Sequence, residues 1–167
     1  MKTYVLTLSK TFPVTHKRAG EYTDFKPKFY AAVNNMPCYR RKLHTIRANY
    51  DLWSRRFEEI TAGKAMLSVR QWTGKPYRSK QVEIRTLTKD DLIGIQKLEI
   101  VKEKYNSRTI YLLYIDGKQV DGSMLRVLAE NDGLSTDDWI EWFKHYNFNK
   151  PLAIIHFTPL RYDPRLC

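Results

Sequence analysis

The sequence predicts an α+β chain, a small curved sheet or barrel flanked by helices. Three observations predict it. Strand-like stretches open the chain and recur through its middle, two helical stretches follow one another late, and an apolar strand at 152–157 closes the series. No repeating strand–helix–strand unit organises them. With 167 residues, 43% hydrophobic and 28% charged, the chain suits one domain over 1–167 with a sizeable core.

The elements follow in order. Residues 3–8 alternate as a first strand. Residues 9–24 are polar, hold Pro13 and Gly20, and carry Lys10, His16, Lys17 and Arg18. They read as a long basic loop, and long loops in small domains tend to serve function. A short helix is expected over 25–34, opened by Lys26-Pro27 because proline suits a first helical turn. An extended stretch, 42–47, comes next. Apolar residues at 52, 53, 57 and 60 give helical spacing over 50–61, closed by Ala62-Gly63. Three strands are expected at 65–72, 80–87 and 93–103, with Gly74-Lys75-Pro76 turning between the first two. Residues 109–115 are strongly β, and Asp116-Gly117 signals a tight turn. Two helices, 122–131 and 135–146, are split at Asp132-Gly133, with Ser135 as cap and Asp138 three places on. Trp139, Trp142 and Phe143 recur at helical spacing and read as core. The last strand, apolar on both faces, is expected at the sheet centre, and the tail from 159 is irregular.

Net charge is +11, with a pI near 9.6. A surplus of that size favours a polyanionic partner, nucleic acid first, over a merely soluble basic surface. Aromatics make up 13% of the chain, and several sit beside basic residues: Tyr39-Arg40-Arg41, Trp53-Ser54-Arg55-Arg56, Arg70-Gln71-Trp72 and Tyr77-Arg78. Rings interleaved with cations suit stacking on bases and tracking of phosphates. The alternative is that the rings are core and arginine stems lie over them. Trp53, on an amphipathic helix, reads as core. Trp72 and Tyr77, beside Lys75 and Arg78, stay open between the two readings. Two cysteines, Cys38 and Cys167, and four histidines show neither disulfide nor metal-site spacing. No metal and no cofactor is expected. The first residues pattern as a strand rather than a signal peptide, and no apolar run reaches membrane length, so a cytoplasmic protein with no membrane partner is expected.

The segment 41–47 reads Arg-Lys-Leu-His-Thr-Ile-Arg. In a strand, Thr45 and Arg47 share a face. Lys42 has the opposite parity, and a turn before the strand would swing its side chain to the same pocket. An amine near a hydroxyl, beside a fixed cation, suits an anion, a polar base edge or nucleophilic chemistry. Without a pocket, Lys42 and Arg41 are a solvated basic loop, Thr45 an ordinary strand residue, and Arg47 a partner for Asp51 or another acid. His44 reads as a strand histidine rather than a base.

Lys42-x-x-Thr45-x-Arg47 resembles the signature of the ASCH domains, relatives of the PUA RNA-binding domain. Asn131-Asp132-Gly133-Leu134, followed by Asp137-Asp138-Trp139 and Trp142-Phe143, resembles that family's late helical hairpin. The closing strand sits where the family's last strand sits. The resemblance implies a PUA-like β-barrel with flanking helices and a partner that is a nucleic acid, RNA more than DNA, or a nucleoside or nucleotide. Arg47, Arg40, Arg41, Trp72, Lys75, Tyr77 and Arg78 are the expected binding residues. One branch of the family resembles an amidohydrolase of acylated cytidine that uses a lysine, a threonine and a glutamate. Carried over, these are Lys42 as base, Thr45 as nucleophile and Glu130 as acid, with Arg47 holding a carbonyl. The family carries a glycine two residues before the lysine, where this chain has Arg40. Whether the chain is an enzyme stays open at this point.

Overall fold

The computed structural model describes residues 1–163 and 165. Its strands and helices follow the chain as β1 (Lys2–Leu8), α1 (Phe25–Val33), β2 (His44–Arg47), α2 (Tyr50–Thr61), β3 (Ala65–Trp72), β4 (Gln81–Leu87), β5 (Gly94–Tyr105), β6 (Arg108–Ile115), β7 (Lys118–Val120), α3 (Met124–Asn131), α4 (Thr136–Phe143) and β8 (Leu152–His156). The chain is thus α+β.

Local chemistry explains the boundaries. Asn49 opens α2 with its side chain accepting from Leu52 N at 3.1 Å. One face of α2 then buries Trp53, Phe57 and Ile60, each worth about 1.5–3 kcal/mol of apolar burial. Trp53 is therefore core. Gly63, at φ 71°, ends the helix in the left-handed region. Asp116 and Gly117, at φ 51° and 80°, form the tight turn between β6 and β7. Ser135 Oγ accepts from Asp138 N at 3.1 Å and caps α4. The Asp138 carboxylate does not return to the cap; it binds Arg18 Nη1 at 2.5 Å instead.

The strands form two sheets, β1-β3-β4 and β2-β8-β5-β6-β7. β1 runs parallel to β3, and every other pairing is antiparallel. β8 lies between β2 and β5, and all five of its residues are buried, as a two-faced apolar strand requires. One core cluster runs through both sheets and all four helices, including Leu67, Leu98, Ile154, Phe29, Phe57, Leu128 and Trp139.

Of the expected curved sheet or barrel, the described residues form two sheets and no closed barrel. β1 and β2 are edge strands of separate sheets. No backbone ladder joins them among the described residues. A side chain spans the gap, with an Arg47 guanidinium N–H donating to the Thr7 carbonyl. β7 is an addition that the sequence reading lacks.

The 9–24 loop is pinned from several sides. Thr11 bridges Tyr22, and Thr23 Oγ donates to Ser9 O at 2.6 Å. His16 Nδ1 accepts from Arg18 N at 3.0 Å, so its Nε2–H donates to Asp138 O at 3.1 Å. The last of these contacts docks the loop on α4.

Candidate functional site

The stretch that precedes β2 is stitched to three other elements. Lys42 N donates to Lys28 O of α1 at 2.9 Å, and Leu43 N donates to Asn131 O of α3 at 2.7 Å. Phe157 N, just past β8, donates to Leu43 O at 3.0 Å. With its backbone fixed in this way, Lys42 turns its side chain fully inward, at 1% exposure. Lys42 Nζ donates to Asp132 Oδ1 at 2.5 Å and to Asp132 O at 2.6 Å. It also lies 3.9 Å from the centre of the Phe25 ring.

Thr45 and Arg47 follow on β2, opposite Ile155 and Ala153 of β8, and so share a face. Thr45 is buried, and its hydroxyl makes no hydrogen bond among the described residues. Lys42, Thr45, Arg47 and Asp132 line one cavity with Leu134 and Trp142, whose free volume is about 10 Å³. That is room for about one water molecule. Arg47 does not pair with Asp51; its partner is Thr7 O.

Burial dominates the electrostatics. It lowers the Lys42 pKa to about 8 against the pull of Asp132, with Arg47 and Lys28 pushing the same way. Burial likewise raises the Asp132 carboxyl, against the opposing effect of Lys42 and Arg47. The Trp139 indole also favours the Asp132 anion, although its N–H reaches no acceptor at bonding geometry.

Glu130 is not part of this cluster. It is exposed on α3 and its Oε1 accepts from Arg126 Nε at 2.8 Å, one helical turn away. Asp132, the α3 C-cap, is the carboxylate that meets Lys42. The carboxylate beside Lys42 thus lies two residues past Glu130, because the helix turns Glu130 outward before the chain reaches the cap.

An open cleft adjoins the buried cavity. Its volume is about 420 Å³, and Lys28, Arg40, Arg41, Glu130 and the Ser135-Thr136 start of α4 line it. Leu134 lines both the cleft and the cavity. Lys28 Nζ is held by Thr23 O at 3.0 Å and Gly133 O at 2.9 Å. Arg41 also lines a second cleft of about 450 Å³, beside Asp91 and Thr158.

Trp72, Lys75, Tyr77 and Arg78 lie apart from this cleft, at the hairpin between β3 and β4. Tyr77 is 90% exposed, and its ring packs 5.3 Å from that of Trp72. Lys75 and Arg78 are exposed beside them. Lys10 Nζ donates to Thr73 O at 3.2 Å, so the basic loop meets this hairpin.

A second polar cluster lies under the site. His44 and His156 face each other across the β2–β8 pair, ring centres 5.5 Å apart. His44 Nε2 sits 2.6 Å from Tyr162 Oη, which accepts from Asn131 Nδ2 at 2.9 Å. His156 Nε2–H donates to Gln96 Oε1 at 3.0 Å. Neither Nδ1 atom has a partner. Burial drives His44 well below the ordinary histidine value, and takes His156 to about 3. His44 is thus a neutral core histidine. Nothing short-range in the sequence announces this pair, because it depends on strand register.

Among the described residues, no group of three or more His, Cys, Asp or Glu side chains could hold a metal ion. Cys38 is exposed and free, and Cys167 lies outside the described residues. No helix among the described residues is long and apolar enough to cross a membrane. Comparison with protein-family models, curated proteins and solved structures finds no match for the chain.

Proposed function

We propose that this chain is a cytoplasmic nucleic-acid- or nucleotide-binding domain of the ASCH, PUA-like kind, with RNA preferred over DNA. The observation that carries the reading is the open cleft of about 420 Å³ beside the Lys42 cluster, lined by Lys28, Arg40 and Arg41. Its volume falls in the range of small-ligand sites. The one acid on its wall, Glu130, is already neutralised by Arg126. The chain's net charge of +11 supports a phosphate-bearing ligand. The exposed Tyr77 ring beside Trp72, flanked by Lys75 and Arg78, offers a stacking platform for a longer strand. The preference for RNA rests on the family resemblance. Mobility shifts with single- and double-stranded RNA and DNA test the proposal. Binding at low salt that weakens steeply with added salt is the expected result. No shift with any of these ligands at low salt would sink it.

A second reading has its own support. A lysine with its pKa lowered to about 8 shares a cavity with an unbonded threonine hydroxyl. That pairing suits amide hydrolysis on an N4-acylated cytidine once the cavity widens beyond its one-water volume to admit the acyl group, with Thr45 as nucleophile and Lys42 taking its proton. Asp132 then replaces Glu130 as the nearby carboxylate. Release of cytidine from N4-acetylcytidine, lost in Thr45→Ala with the fold retained, is the expected outcome. Equal turnover in Thr45→Ala would remove this mechanism.

A further inference from the structure

The β5–β6 hairpin carries an open edge that the binding reading does not use. β8 pairs with β5 only as far as Leu98. β7 covers the outer edge of β6 only at residues 113–115. The turn at Asn106-Ser107, with φ 47° and 64°, ends β6 on its other side. Residues 108–112 therefore pair with β5 alone among the described residues. A two-stranded ribbon of this kind is marginally stable by itself in water, and its unpaired backbone groups are a template for another strand.

The two edges of the ribbon differ in how they are guarded. On β5, residues 102–104 are Lys-Glu-Lys. A second β5 laid antiparallel about Glu103 would set each lysine opposite a lysine and glutamate opposite glutamate, which is unfavourable. On β6, residues 108–112 are Arg-Thr-Ile-Tyr-Leu. Laid antiparallel about Ile110, this strand sets Ile110 opposite Ile110, Thr109 opposite Tyr111 and Arg108 opposite Leu112. No like charges meet, and β-branched and aromatic residues pair across the axis. Ile110 is 41% exposed, so it has surface left to bury. The lengths agree as well. The open edge runs from the turn to the first residue under β7, and the same stretch of the second copy fills it from the opposite direction. Each copy's β7 then falls beyond the other's turn.

We propose that the partner of this edge is a second copy of the chain, joined β6 to β6 about a two-fold axis at Ile110. Both five-stranded sheets become one continuous sheet. Each copy carries +11, so the copies repel at long range, and added salt strengthens their association. This is the opposite of the salt dependence expected for a phosphate ligand.

Sedimentation velocity on nucleic-acid-free protein, across protein concentration and at low and high salt, tests the proposal. A monomer–dimer equilibrium is expected, shifted toward dimer by concentration and by salt. Ile110→Lys should lose the dimer while keeping the wild-type melting curve. As a second readout, Ile110→Cys in a Cys38→Ser, Cys167→Ser background should cross-link between copies on mild oxidation. Lys104→Cys in the same background should not. A single monomer boundary at every concentration and salt overturns the proposal. So does a dimer untouched by Ile110→Lys, or Lys104→Cys cross-linking as fast as Ile110→Cys.

Discussion

Lys42 and Asp132 form a buried ion pair in which one aspartate holds the ammonium twice, through its carboxylate at 2.5 Å and its own carbonyl at 2.6 Å. The residues are 90 apart in sequence. The pair ties the start of β2 to the turn between α3 and α4. Each charge is out of water, so each depends on the other.

Removing one partner strands the other. Lys42→Met should cost about 3–5 kcal/mol in urea unfolding, because Asp132 is left buried and unpaired. The double variant Lys42→Met, Asp132→Asn should recover a large part of that loss. If the double variant loses as much as the sum of the two singles, the pair is not coupled as drawn.

The two core histidines predict acid sensitivity. Each is neutral in the folded protein and would take a proton near 6.5 when unfolded. Above that value neither alters stability with pH. As pH falls below 6.5 the unfolded chain binds the extra protons, so stability falls until the folded-state values are reached, about 3 for His156. Two such groups give a slope of about 2.7 kcal/mol per pH unit well below 6.5. Lys42 and Arg161 add to the repulsion of protons there. His156→Gln should roughly halve the slope, as read from chemical unfolding at stepped pH. An unchanged slope would count against the assignment.

The basic cleft predicts a graded salt effect. Arg40→Ala and Arg41→Ala each remove a cation from its wall. Fluorescence anisotropy with a short RNA should show weaker binding for each variant. The slope of log affinity against log salt should fall by about one unit per arginine. Arg55→Ala, on the exposed face of α2 and outside the cleft wall, should change that slope far less.

Leu134 lines both cleft and cavity, which makes it the expected barrier between them. Leu134→Ala should cost about 2–5 kcal/mol as a buried truncation. It should also open a path to the Lys42 amine. Amine labelling read by peptide mass spectrometry should find Lys42 protected in the wild type and modified in the variant. Equal protection in both would show that Leu134 is not the barrier.

Much of the fold was legible because it is local. The α2 pattern at 53, 57 and 60, the Asp116-Gly117 turn and the two-faced apolar strand at 152–156 all carry their structure in neighbouring residues. The pairing of strands was not legible. Whether β1 and β2 zip together or stay apart depends on contacts 40 residues distant, such as Arg47 with Thr7. In the site, Thr45 and Arg47 share a face by simple alternation. The carboxylate that meets Lys42 is Asp132, two residues past the Glu130 that the resemblance suggested. One local signal pointed the right way: Arg126 stands four residues before Glu130, the spacing of a surface ion pair. Asp132, at the helix end beside Gly133, was free to turn inward. The hairpin aromatics were left open in sequence, and Tyr77 sits exposed on a positive-φ turn.

The Arg47 contact with Thr7 has a consequence for motion. It is a clasp between two sheets that share no backbone ladder there. Backbone ladders open only cooperatively, but a side chain can let go alone. A ligand oxygen that reached the cavity and drew the guanidinium away would unfasten β1 from β2. The shared core would still hold the two sheets together, so occupancy of the site would cost that one hydrogen bond and leave the packing beneath it in place.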